Sequence, residues 1–390
     1  MGLSVCLVAG EPSGDLLGAS LARALKSLCP DGIELWGSCG PAMEAADVVP
    51  KQTLEQHGFM GFFEVLQHLP DIRHALNDMS SEILLRNPDA VVLIDYPGFN
   101  LRLAKKLRKQ GYKGKLVQLV CPSIWAHSKH RLKTMERCLN LVLCILPFET
   151  SLFEQSSLEA IYIGSPIAER IMNCTAPPLP CLAELAYKHP LVGLFPGSRP
   201  REIERHLPVI LDAARLIHAQ LPDVRFVMSC AHQVIHKMMR AIACQRDPLS
   251  VGDTLYLIDH QHNASMMRLL RAAIAKSGTV TLELALHTVP TVVVYQIGFF
   301  SAFIARVILG LKLEHYSLVN ILRGKEVFPE LIFRDFDAQL ISQELIELAT
   351  ESSTRRACLE ECIELQNDIS HPRNPSTRAA QALLELLHRR

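Results

Sequence analysis

Strand-length apolar runs alternate with longer amphipathic segments along this chain, and the alternation comes in two series. The first holds SVCLVA before LLGASLARALKSL, AVVLIDY before NLRLAKKLRKQ, then KLVQLVC and LVLCIL. The second holds LVGLF before PREIERHLPVILDAARLIHAQL, then RFVMSC, TLYLI, AAIAKS and TVVVY. A continuous apolar run suits a strand covered on both faces, and a helix between two such runs returns the chain to make the next strand parallel. The pattern predicts α/β architecture in two similar halves that meet across a cleft. Clustered prolines in NCTAPPLPCLAELAYKHP set the boundary near residues 170–190. The expected domains are 1–170, 190–365 and a helical segment 366–390, which packs on the first domain or on a partner subunit.

Charge narrows what such halves bind. Forty Lys plus Arg balance forty Asp plus Glu, so no global field draws the chain to nucleic acid, and any phosphate site is local. Residues 1–15 lack a basic leader, and Glu11 and Asp15 interrupt their apolar run, which predicts a cytoplasmic address. The twelve cysteines show no CxxC spacing and are read as reduced, mostly buried thiols. Val289–Leu311 is long enough to span a bilayer and carries only Arg306. Pro290 and Gly298 divide it into a strand and a helix with one apolar face, a helix able to touch lipid.

Open α/β sheets bind ligands beyond the carboxyl ends of their strands, so the loops there carry the chemistry. In VAGEPSGDLLGAS, Gly10 and Gly14 allow close approach, and a helix expected to start near Asp15 offers N–H groups to an anion or a sugar hydroxyl. Ser13 or Asp15 as a helix cap is the plainer reading, but it leaves Glu11 without a task. Asp95 ends the apolar run of LIDYPGFN, where partial burial suits a general base; the alternative is a cap for a helix starting near Asn100. Trp125 sits among Ser123, His127, Lys129, His130 and Arg131, a loop that suits a sugar face as well as a core tryptophan.

Two further loops point to phosphate. In LFPGSRPREIERH, Gly197 admits close approach, Ser198 and a helix N-terminus supply donors, and Arg199 adds a bidentate fork; Ser198 as a simple N-cap is the alternative. In AKSGTVTLELALHTVP, Ser277, Gly278 and Thr279 repeat the theme, and Glu283 lies one helical turn on, placed to accept ribose hydroxyls. Together they describe a nucleotide diphosphate site. No zinc-type Cys/His set accompanies them, so no metal and no cofactor is expected.

Eight motifs fall in the order seen in the lipid-A-disaccharide synthase family: EPSGD ending at Asp15, GFMGFFE at Glu64, IDYPGFN at Asn100, CPSIWA at Ala126, LPFE at Glu149, PGSR at Arg199, SGT at Thr279 with Glu283, and YSLVN at Asn320. The resemblance runs from about residue 4 to the C-terminus. It implies a metal-independent, inverting glycosyltransferase with two Rossmann-like domains, the GT-B arrangement. Such an enzyme joins UDP-2,3-diacylglucosamine to 2,3-diacylglucosamine 1-phosphate through a β-1,6 bond and releases UDP. The resemblance implies UDP ligands at Gly197, Ser198, Arg199, Ser277, Gly278, Thr279, Glu283 and Asn320. It places the acceptor near Glu11, Ser13, Gly14, Asp15 and Asp95, with Met60, Phe62, Ser123 and Trp125 on the acceptor or lipid side. Asp95 is the expected base, with Glu11 or Asp15 as alternatives. Peripheral attachment to the inner membrane and a homodimer are also implied. A UDP-sugar 2-epimerase of the same fold and a non-catalytic nucleotide-sugar-binding protein are the competing readings.

Overall fold

The computed structural model describes residues 2–53, 69–122, 124, 129–174, 177–230, 233–245, 251–296 and 314–389. It divides into two α/β units, Met1–Glu169 with Ile369–Arg390, and Arg170–Asp368.

The first unit is built on seven strands: β1 (Leu3–Ala9), β2 (Ile33–Cys39), β3 (Val49–Thr53), β4 (Ala90–Ile94), β5 (Lys115–Leu119), β6 (Leu141–Cys144) and β7 (Glu159–Tyr162). All pair in parallel, in the order β3-β2-β1-β4-β5-β6-β7. Alternation along each strand sorts side chains to two covered faces. Val5, Leu7, Ala9, Val92 and Ile94 join a core with Leu21 and Leu25 of helix Pro12–Leu28 and Leu383 of helix Pro375–His388. Cys6, Val8, Val91 and Leu93 face the other way, toward Leu103 and Leu107 of helix Pro97–Lys109 and Met135 of helix Lys129–Cys138. The C-terminal helix thus lies against helix Pro12–Leu28 and completes a layer of this unit.

The second unit has six parallel strands: β8 (Leu191–Phe195), β9 (Arg225–Cys230), β10 (Leu255–Asp259), β11 (Leu270–Lys276), β12 (Thr291–Tyr295) and β13 (Glu330–Ile332). Their order is β10-β9-β8-β11-β12-β13. Helix Pro200–Gln220 turns Ile203, Leu207, Ile210, Leu211, Ala214 and Ile217 inward, a stripe of three- and four-residue spacing.

The helix starts differ from expectation. The first helix begins at Pro12, so neither Ser13 nor Asp15 caps it, and Glu11 holds the N-cap position through its backbone alone. The helix after β4 begins at Pro97 rather than near Asn100, with Tyr96 ahead of it. Ser198 is likewise not a cap: Arg199 stands at that position and Pro200 begins the helix. Proline preset for helical φ at the first position explains all three starts. Of the apolar stretch Val289–Leu311, Thr291–Tyr295 is strand β12, and the part from 297 lies outside the described residues. Among the described residues, no helix is long and apolar enough to cross a membrane.

Candidate active site

In each sheet the chain builds outward from a first strand and then returns to that strand's other side. The crevice this leaves at the carboxyl ends is the place where doubly wound sheets take ligands. It falls between β1 and β4 in the first unit and between β8 and β11 in the second. The loops after these four strands are those carrying Glu11, Asp95, Gly197–Arg199 and Ser277–Thr279.

In the second unit the PGSR loop folds around an acidic residue. Gly197 has φ +120°, and a Cβ there would stand 2.6 Å from Glu202 Oε2, so the position admits only glycine. Glu202 Oε2 accepts the Ser198 N–H at 3.2 Å, while Oε1 lies 3.2 Å from Lys276 Nζ and 3.6 Å from Arg199. Burial pushes Glu202 up, but Lys276, Arg199 and the Ser198 N–H outweigh it and hold the carboxylate below the usual range. Behind them His206 bridges two elements: Nδ1 meets the Glu202 carbonyl at 2.7 Å, and Nε2 accepts the Gln296 N–H at 3.0 Å. Burial lowers the His206 pKa, in keeping with a neutral ring that accepts at Nε2.

The second loop of this unit opens helix Thr279–Leu286, with Gly278 at its N-cap. The Ser277 hydroxyl donates to the Tyr316 carbonyl at 2.9 Å. Glu283 pairs with Arg170 at 3.1 Å; burial raises its pKa and Arg170 opposes the rise. Asn320 departs from the expected role of direct ligand. It is fully buried, its Nδ2 donates to the Phe328 carbonyl and to Glu330, and its Oδ1 accepts the N–H groups of Val327 and Phe328. With all four of its bonding positions filled inside the fold, Asn320 holds Glu330, which in turn accepts Tyr316 and Ser317 N–H beside Ser277.

In the first unit Asp95 and Tyr96 both adopt left-handed backbone, φ +49° and +41°, and Val120 at the end of the neighbouring strand has φ +72°. Each such non-glycine residue costs about 1–3 kcal/mol. Two buried amides hold the strained ends. Asn100 Nδ2 donates to the carbonyls of Ile94 and Asp95, and Gln118 Nε2 lies 3.2 Å from those of Asp95, Leu119 and Val120. Burial raises the Asp95 pKa, partly offset by the Tyr96 N–H. A Cβ on Gly10 would stand 2.5 Å from the Tyr96 ring, so this glycine lets the two loops close on each other. The Glu11 carboxylate is near enough to add to the rise that burial causes at Tyr96.

Asp15 is placed otherwise. Its buried carboxylate accepts the N–H groups of Gly40, Ala42 and Met43 at 2.9, 2.8 and 3.1 Å, fixing the loop after β2 rather than facing a substrate. Ser13 is exposed, and Gly14 packs on Ala9 and Ile94. Met60, Phe62, Ser123, Trp125 and His127 lie outside the described residues.

The sequence analysis missed Lys276 and Glu202 at the phosphate-type loops; a lysine closing the strand before SGT was the available signal. Asp335 and Asp337 have the spacing of an acidic metal-binding pair, but Asp337 caps helix Ala338–Ala349 through the Gln339 and Leu340 N–H groups. Glu149, which the sequence marks only as the end of the LPFE motif, is buried beside Cys121 and Cys144, the three ligand atoms within 4.8 Å of one another. Burial pushes Glu149 up to about 7 against the N–H groups of Leu146 and Ile145. The unfolded chain releases this proton near pH 4.5, so stability is lost as pH rises from there to about 7, and the loss is complete above it. The Glu149→Gln variant is expected to gain on the order of 3 kcal/mol relative to wild type between pH 4.5 and 8. Paired thermal melts at the two pH values check this; a parallel response of both proteins would overturn it.

Doubly wound parallel units, one of which gathers an arginine, a lysine and two helix N-termini at its switch point, define a GT-B-type protein. The model of the lipid-A-disaccharide synthetase family matches residues 5–383, and the chain belongs to that family. It is 36% identical over 366 residues to a lipid-A-disaccharide synthase of Chlamydia pneumoniae, covering 92% of this chain and 59% of that protein. The chain thus spans about three fifths of that relative's length. A lipid-A-disaccharide synthase of Coxiella burnetii strain RSA 331 is 32% identical over 393 residues, covering 99% of this chain and 98% of its own. In fold alone the chain is similar to a Methanocaldococcus jannaschii UDP-GlcNAc 2-epimerase solved with UDP-GlcNAc and UDP: TM-score 0.62, 12% identity, 99% and 100% of the chains covered.

Proposed function

We propose that the chain is an inverting, metal-independent glycosyltransferase. It moves 2,3-diacylglucosamine from UDP-2,3-diacylglucosamine to 2,3-diacylglucosamine 1-phosphate, forming the β-1,6 disaccharide 1-phosphate and UDP. The observation that carries the donor half is the convergence of the Ser198 N–H, Arg199 and Lys276 on one small anionic group at a switch point.

In the reaction the acceptor 6-hydroxyl attacks the anomeric carbon of the donor as the bond to the UDP oxygen breaks. Asp95 takes the hydroxyl proton; its burial keeps the base from being over-solvated, and Glu11 is the reserve candidate. Arg199, Lys276 and the N-termini of the helices from Pro200 and Thr279 receive the charge that develops on the departing diphosphate. Gly197, Ser198, Ser277, Gly278 and Thr279 line its loops, Glu283 meets the ribose hydroxyls, and Asn320 serves by holding the Tyr316 turn. Asp15 serves the acceptor side by fixing the loop from Gly40. Met60, Phe62, Ser123 and Trp125 are assigned to the acceptor and its acyl chains, at a peripheral contact with the inner membrane, and a homodimer is the proposed assembly.

The test is to incubate the protein with the UDP-diacylglucosamine donor and the acylated sugar 1-phosphate. Disaccharide 1-phosphate and UDP in equal amounts support transfer. Free sugar formed without the lipid acceptor would favour an epimerase, and binding without UDP release would favour a sensor.

A further inference from the structure

Glu202 is placed where a diphosphate would gain most. Its two carboxylate oxygens engage the Ser198 N–H at 3.2 Å, Lys276 Nζ at 3.2 Å and Arg199 at 3.6 Å. The side chain lies so close over the loop that Gly197 has no room for a Cβ. These are the cations and the backbone donor that a phosphate needs, and one ammonium cannot serve two anions at full strength. Carboxylate and phosphate also repel at short range. Capping explains part of the arrangement, because a glutamate in the first helical turn reaches back to an N–H ahead of the helix. A cap requires neither Lys276 nor Arg199.

We propose that Glu202 is an internal competitor for the donor's diphosphate: it holds Ser198, Arg199 and Lys276, yields them when the nucleotide binds, and retakes them as UDP leaves. The proposal rests on the assignment of the donor site to this switch point. Its consequence is kinetic. Product release limits many enzymes that close on their substrates, and a carboxylate returning to the same cations shortens the stay of UDP. The exchange needs only rotation of the Glu202 side chain, while the helix that carries it stays in place.

Calorimetric titration of the full chain with UDP, inorganic pyrophosphate and uridine tests the idea. Glu202→Gln keeps an oxygen for the Ser198 N–H, removes the charge and replaces the oxygen that meets Lys276 and Arg199 with an NH2 group that cannot accept from them. The variant is expected to bind UDP and pyrophosphate about tenfold tighter, release UDP more slowly, and bind uridine as wild type does. Unchanged affinity overturns the proposal, and weaker affinity overturns it in favour of a residue that positions Lys276. Should Glu202→Gln not fold, Glu202→Asp, whose shorter arm withdraws the charge from Lys276, is read in the same direction. Arg199→Ala and Lys276→Ala separate the two levels. If both leave UDP affinity unchanged, the donor-site reading itself fails; if they weaken it while Glu202→Gln gives no gain, the competitor role alone fails.

Discussion

Asp95→Asn is expected to lower kcat by about 10²–10⁴-fold while UDP affinity and folding stay near wild type. The variant is informative because asparagine matches aspartate in shape and tolerates the left-handed backbone that Asp95 adopts at φ +49°. The carbonyl of residue 95, held by Asn100 and Gln118, is untouched by the change. What disappears is a carboxylate whose proton affinity burial has raised. A raised pKa also predicts that the acid limb of the kcat/KM profile lies above the ordinary carboxylate range, and that Asp95→Asn abolishes that limb. Turnover and UDP binding measured on the same preparation decide the matter. Near-normal turnover would move the base role to Glu11.

Arg199→Ala is expected to weaken UDP binding by about 10–100-fold, the worth of a charge-assisted bidentate contact to phosphate. Little structural damage accompanies the change. The side chain is 59% exposed, and its ion pair with Glu202, at 3.6 Å, is long; a pair so exposed adds little to stability. Titration with UDP and with uridine locates the loss, which should fall on UDP alone. Equal affinity of wild type and variant for UDP would remove Arg199 from the diphosphate site.

The two predictions differ in how far the linear chain announces them. Arg199 sits in a loop whose glycine, prolines and guanidinium are adjacent in sequence, so the chemistry of an anion site is visible locally. Asp95 is visible only as a carboxylate ending an apolar run. Its left-handed backbone, and that of Val120, are held by Asn100 and by Gln118, and the contact of Gln118 with the Asp95 carbonyl, 23 residues away, is one that no local pattern records. Four strands also escaped the reading: β2, β3, β7 and β13. Their sequences IELWGSC, VPKQT, EAIY and ELI mix polar with apolar residues or are too short to stand out. Those strands extend each sheet to its edges without altering which loops meet at its centre.

Two carboxylates and one amide show the same limit from the other side. In sequence Asp15, Asn320 and Glu202 look like an acidic loop residue, a motif amide and a solvated helix charge. In the fold Asp15 gathers three backbone N–H groups 25–28 residues away, and Asn320 closes a turn 7–10 residues on. Glu202 meets Lys276 from a different strand end. Hydrogen-bond partners distant in sequence are chosen by packing, which pattern and propensity do not encode.

By itself, then, the sequence determined the parallel α/β class and the family, because apolar periodicity and ordered motifs are properties of neighbouring residues. Only the tertiary structure decided which polar side chains face a ligand and which are consumed in holding the loops. That division depends on strand order: adjacency at a switch point brings together groups as far apart in sequence as Gly10 and Tyr96, or Glu202 and Lys276.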